Sequence, residues 1–156
     1  MITLRSIKAA LTARLKSKYT DYKVHFDNVE KQSKEPYFYV ELMPTVTTVD
    51  DVYSDRFIQV DITFFVPYDA FGRVERMRLY DVADGLDLLI RPVFRVEDRA
   101  ITILSAETTT IDDILHYIFT LDFRDAVTDE EAGRMQYELM QQLQLRLNDE
   151  DKTEEE

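Results

Sequence analysis

Arg56-Phe57-Ile58-Gln59-Val60-Asp61-Ile62-Thr63-Phe64-Phe65-Val66 is the stretch that decides the fold. Successive side chains of a strand point to opposite faces, so Ile58, Val60, Ile62, Phe64 and Val66 share one face. Gln59, Asp61 and Thr63 share the other, until Phe65 breaks the pattern and Pro67 ends the run. Alternation over this length predicts a strand with one face against a core.

The same reading extends upstream. Pro36 opens a dense strand from Tyr37 to Met43, and Pro44 reads as its interruption. Val46 and Val49 follow in a threonine-rich stretch that extends a hairpin arm. Tyr22, Val24 and Phe26 alternate with Lys23 and His25, a further strand with one buried face, and the polar residues Asn28 to Glu35 form a connection. Before them, Leu4, Ile7, Leu11 and Leu15 recur at helical spacing, predicting a helix from Thr3, its N-cap, to Lys18.

Downstream, Asp69 reads as the cap of a helix running to about Arg91, with Leu79, Val82, Ala83, Leu86, Leu89 and Ile90 as its buried stripe. Gly85 inside it costs roughly 1 kcal/mol against alanine and suggests a close approach to a sheet. Val93–Val96 and Ala100–Glu107 read as strands around a turn at Glu97-Asp98-Arg99, and Thr108 to Thr110 continue a β-prone run. Asp112-Asp113 is a turn signal. Ile114 to Phe123 carries apolar residues on both faces, which places it centrally in a sheet. Thr128-Asp129-Glu130-Glu131 has the form of a capping box, opening a helix from about Asp129 to Leu147.

Short connections between consecutive strands imply hairpins. The expected class is α+β: a mostly antiparallel or mixed sheet with helices packed on one face. Residues 1–147 are expected to form one domain, and residues 148–156 an acidic, flexible tail.

The 156 residues contain no cysteine, which removes disulfides, thiol nucleophiles and cysteine zinc sites. That composition fits a reducing cytoplasm or a virion assembled there. No apolar run reaches the roughly 18 residues of a membrane span, and the basic opening helix does not read as a signal peptide. A net charge of −12 speaks against sequence-independent binding to nucleic acid. The charge is uneven. Met1–Lys23 holds six basic residues and one acid, Asp21, whereas Asp149–Glu156 holds six acids and one lysine. A basic end and an acidic end suit head-to-tail association of subunits, although solvated faces that keep a chain soluble are the commoner reason for such runs.

A search for chemistry yields no catalytic, cofactor-binding or metal site. His25 and His116 lie in strands without a visible convergent partner, and read as ordinary strand residues. Asp112 and Asp113 with His116 can be drawn as a metal site, but adjacent carboxylates diverge in extended chain and aspartate belongs in turns. Gly72, Gly85 and Gly133 form no phosphate loop. The aromatic runs Tyr37-Phe38-Tyr39 and Tyr117-Ile118-Phe119 suit core and subunit packing better than base stacking, which needs a cationic groove.

Three stretches read together resemble the tail terminator family of phages and prophages of Gram-positive bacteria. The first joins the helix Ile2-Thr3-Leu4-Arg5-Ser6-Ile7 through Leu15-Lys16 to Tyr22–Phe26 and Glu35-Pro36-Tyr37-Phe38-Tyr39-Val40-Glu41-Leu42-Met43-Pro44. The second is Phe57 to Phe65, and the third runs from Ile111-Asp112-Asp113-Ile114-Leu115-His116-Tyr117-Ile118-Phe119 to Leu121-Asp122-Phe123. The resemblance implies a small, non-enzymatic α+β subunit of the virion. It would form a ring, usually of six subunits, on the last disc of the tail tube, at the head-proximal end. The implied partners are further copies of the chain, the tail tube protein, a head-completion or connector protein and, in a contractile tail, to which the resemblance inclines, the sheath. DNA enters only as it passes through the channel. A stopper or adaptor of the same particle, or a small cytoplasmic enzyme, stays open as an alternative.

Overall fold

The computed structural model describes residues 1–26, 34–128 and 131. The chain divides into two units, Met1–Ala126 and Val127–Glu156. Every element below belongs to the first. The helix expected over Asp129–Leu147 and the tail after it lie outside the described residues, apart from its opening turn. There the Glu131 carboxylate accepts from the Thr128 backbone N–H at 3.0 Å, and the Thr128 hydroxyl accepts from the Glu131 N–H at 3.2 Å. That is the reciprocal pattern of a capping box.

In chain order the elements are α1 (Leu4–Lys18), β1 (Lys23–His25), β2 (Tyr37–Thr48), β3 (Tyr53–Phe65), α2 (Arg76–Ile90), β4 (Val93–Val96), β5 (Arg99–Thr102), β6 (Ala106–Ile111) and β7 (Ile114–Ala126). The main sheet has the order β1-β2-β3-β7-β6. Only β1 runs parallel to its neighbour, so the sheet is mixed. β4 and β5 form a separate hairpin.

Register explains the core. Val40 lies opposite Ile62, and Ile62 opposite Tyr117. Val60 faces Phe119, and Ile58 faces Leu121. All of these side chains are buried and share one face of the sheet. Ile7, Leu11 and Leu15 of α1, Leu79, Leu86 and Ile90 of α2, and Phe94, Val96 and Ile101 of the β4–β5 hairpin close over that face. At about 1.5–3 kcal/mol for each large apolar side chain removed from water, this single cluster drives the fold. The class is therefore the α+β arrangement expected from the sequence.

Four expectations need correction. Pro44 does not interrupt its strand: β2 runs through it to Thr48, with Pro44 opposite Ile58. β1 ends at His25, opposite Tyr39, so no described strand flanks the outer side of β2 beyond that point and a missing N–H there breaks no ladder. Asp69 does not cap α2. Its carboxylate accepts from the Phe71 and Arg73 N–H groups at 2.8 and 2.9 Å, closing a turn around Gly72 at φ +71°, and α2 starts only after Glu75. Gly85 approaches α1 and its exit rather than a sheet. A Cβ there would collide with the Tyr19 hydroxyl and come within 2.8 Å of Lys18 Nζ. Finally, the run Ala100–Glu107 is divided: β5 stops at Thr102 in the small hairpin, and β6 begins at Ala106 in the main sheet.

Candidate functional site

The two faces of the sheet differ in kind. The face opposite the core presents Tyr37, Tyr39, Glu41 and Met43 from β2 and Phe57, Gln59, Asp61, Thr63 and Phe65 from β3. β7 adds His116, Ile118 and Thr120. All are half-buried or exposed, and among the described residues no helix covers them. Polar and apolar side chains are interleaved, as on a recognition surface rather than in a core. Aromatic stacking orders one end, where the Tyr37 ring lies 5.0 Å from Phe65 and His25 meets Tyr37 edge-on at 5.5 Å.

One titratable cluster lies on this face. His116 Nδ1 is 2.9 Å from Asp61 Oδ2 and 3.4 Å from the Thr63 hydroxyl. The β3–β7 register creates it by setting Thr63 opposite His116. This is the convergent partner that the sequence did not reveal for His116. The arrangement is a poor catalytic triad. Carboxylate and hydroxyl approach the same imidazole nitrogen, whereas nucleophilic catalysis needs them on opposite nitrogens. The cluster ties two central strands together.

The remaining sequence candidates have separate partners. Asp112 and Asp113 form the β6–β7 turn at φ +50° and +62°, the left-handed pair of a tight hairpin, which aspartate tolerates. Asp113 meets the Arg76 guanidinium at 3.0 Å, so the structure ties it to α2 and His116 to Asp61. Among the described residues no group of three or more His, Asp or Glu side chains is placed to hold a metal ion.

A continuous exposed feature is the β2–β3 arm. Its strands pair as far as Thr48 and Ser54, beyond the last core residues. Asp50 closes the tip by accepting from the Val52 and Tyr53 N–H groups at 2.8 and 2.7 Å. Val46, Val49, Val52 and Tyr53 are exposed along it, Val46 at 56 %. Near its tip, where β7 still runs beside β3, Arg124 braces Asp55 with two contacts, at 2.8 and 3.2 Å, and this pairing holds the Asp55 carboxyl below its ordinary pKa. Apolar side chains on a braced arm, clear of their own core, mark an association surface.

On the core side, burial pushes the Tyr19 hydroxyl up to about 12, with Tyr22 adding to the shift. Tyr117 is raised by burial and by donating to Asp87 at 3.0 Å. Both hydroxyls serve packing under the helices. No described helix is long and apolar enough to cross a membrane.

Comparison with known proteins adds what geometry alone does not. Among curated proteins nothing matches. Several solved structures match; one of them does so at 21 % identity and a TM-score of 0.47, over 82 % of this chain and 98 % of its own, a likeness too distant to carry a functional argument. The family model described as phage tail terminator protein matches residues 6–150, well past Phe123, where the resemblance read from the residues stops. With that match over nearly the whole chain, the protein belongs to the phage tail terminator family and is a structural component of the virion tail.

Proposed function

We propose that the chain caps the tail tube as a homo-oligomeric ring of six subunits, stops tube polymerisation and offers the surface to which the head-completion or connector protein attaches. The observation that carries the proposal is the family match over residues 6–150. The sheet face that no described helix covers and the exposed β2–β3 arm are consistent with it.

The physical logic is one of mismatched ends. A head-to-tail interface closes into a ring when its rotation closes, and grows into a filament when it does not. A subunit that binds the last tube disc on one side, but offers the next tube subunit no matching surface, ends growth. The arm supplies apolar area for contact with a neighbour or with the tube, and in a contractile tail the rim of the ring also meets the sheath. The acidic excess lines the channel, where like charge keeps passing DNA from adhering. The ring sits at the head-proximal end of the virion tail and assembles in the host cytoplasm.

The test is to polymerise purified tube protein with and without this chain and to measure tube length by electron microscopy. Shorter tubes with extra density at one end support the proposal. Unchanged tubes, together with binding to the portal side of isolated heads, would make the chain a stopper or adaptor instead.

A further inference from the structure

A groove of about 530 Å³ runs between the N-terminal half of α1 and the outer flank of β2. Leu4, Arg5 and Lys8 form one wall, Phe26 closes an end, and Glu41 and Leu42 lie on the β2 side. Two properties define what it accepts. The first is main-chain capacity. The parallel pairing of β1 stops at His25 opposite Tyr39, so from Val40 onward β2 has no described strand on this flank. An extended segment laid there can add main-chain hydrogen bonds. The second is charge. α1 carries no acid and brings Arg5 and Lys8 to the groove, against the one acid Glu41 on the β2 side, within a chain of net charge −12.

We propose that this groove receives the acidic C-terminal segment, residues 149–156, of a neighbouring copy of the chain, and so links successive subunits head to tail. The inference rests on the ring reading above and names one of its contacts. The segment Asp149-Glu150-Asp151-Lys152-Thr153-Glu154-Glu155-Glu156 is the densest acidic run in the sequence and complements the cationic helix. Reach permits the exchange. About twenty residues separate Thr128 from Asp149, and even at the helical rise of about 1.5 Å per residue they span about 30 Å, the diameter of a small domain. A contact of this kind is heterologous, because groove and acidic segment are different surfaces of the chain, and a heterologous contact makes a ring when its rotation closes.

The chain holds no cysteine, so an introduced pair reports one contact without background. The experiment places Glu41→Cys and Thr153→Cys in the full-length chain, isolates tails from producing cells, oxidises them mildly and resolves them on a non-reducing gel. The expected result is a ladder of covalent multimers that falls at least tenfold when Arg5→Glu and Lys8→Glu are added. Should Glu41→Cys fail to fold, Leu42→Cys offers a second position on the β2 side of the groove. A chain that is present on tails but runs as a monomer, or closes its disulfide within itself, overturns the proposal and leaves the ring reading standing. A chain absent from tails overturns both.

Discussion

Asp125 Oδ2 accepts from the backbone N–H of Ile2 at 2.7 Å and lies 3.5 Å from Arg56 Nη1, while the Arg56 guanidinium donates to the Ile2 carbonyl. Both side chains are buried, at 6 % and 8 % exposure, and Arg99 reaches the other Asp125 oxygen at 3.4 Å. The N-terminal residue that leads into α1 is thus gripped by the far ends of β3 and β7. Removing one partner leaves a buried charge uncompensated, so Asp125→Ala is expected to cost about 3–5 kcal/mol, measured by urea denaturation. Arg56→Ala combined with it costs less than the sum of the two single changes. A loss below about 1 kcal/mol, with full additivity, would show that the grip contributes little.

Gly85 makes the opposite prediction from helix propensity. Alanine at an open helical position gains roughly 1 kcal/mol over glycine. Here the new methyl would meet the Tyr19 hydroxyl and Lys18 Nζ, and overpacking of this sort costs about 1–3 kcal/mol. Gly85→Ala should therefore lower stability, and Tyr19→Phe in that background should recover most of the loss. A stabilised single variant would mean that α1 and α2 lie further apart than described.

The Asp55–Arg124 brace predicts the behaviour of the arm in acid. The hydrogen bond from Arg124 lowers the Asp55 pKa below 3.8, so the folded state binds its proton less tightly than the unfolded chain does. The contribution is present above pH 3.8 and is lost as pH falls through the lower, folded value. In an NMR titration, Asp55 should ionise below its ordinary value, and Arg124→Gln should return the midpoint upward. An unmoved midpoint would contradict the pairing.

Arm substitutions should separate stability from assembly. Val46 and Tyr53 are exposed, so Val46→Asp with Tyr53→Asp should change stability by no more than about 0.5 kcal/mol each. The same pair should abolish association with tails in a co-sedimentation assay. Normal association would remove the arm from the contact surface.

Much of this architecture was legible in the sequence because period-2 alternation reports directly on which face of a sheet is covered. Ile58 to Phe64 and the stripe Ile7, Leu11 and Leu15 are found where that rule and its helical counterpart place them. The failures came where one residue type serves two local purposes. Proline ends a strand only if the neighbour on its donor side is present, and beside Pro44 none is described. Aspartate caps helices and closes turns with the same oxygen, and Gly72 three residues after Asp69 was the available sign of the turn. Pairs such as His116 with Asp61, 55 residues apart, depend on register, which no local pattern specifies. One signal did exist: Arg56 and Asp125 occupy the buried parity of their strands, where a charge must find a partner. The family was legible from the order of its strands and helices, but which surfaces meet which partner was not, because a mixed face serves folding and recognition alike.

The central claim is that this chain ends tube growth. Its most direct test is the length distribution of tails, by electron microscopy, in producing cells that lack the gene. The account predicts overlong, headless tubes that return to normal length when the gene is restored. Tails of normal length that fail to join heads would contradict it and assign the chain to the connector, and normal infectious particles would contradict both.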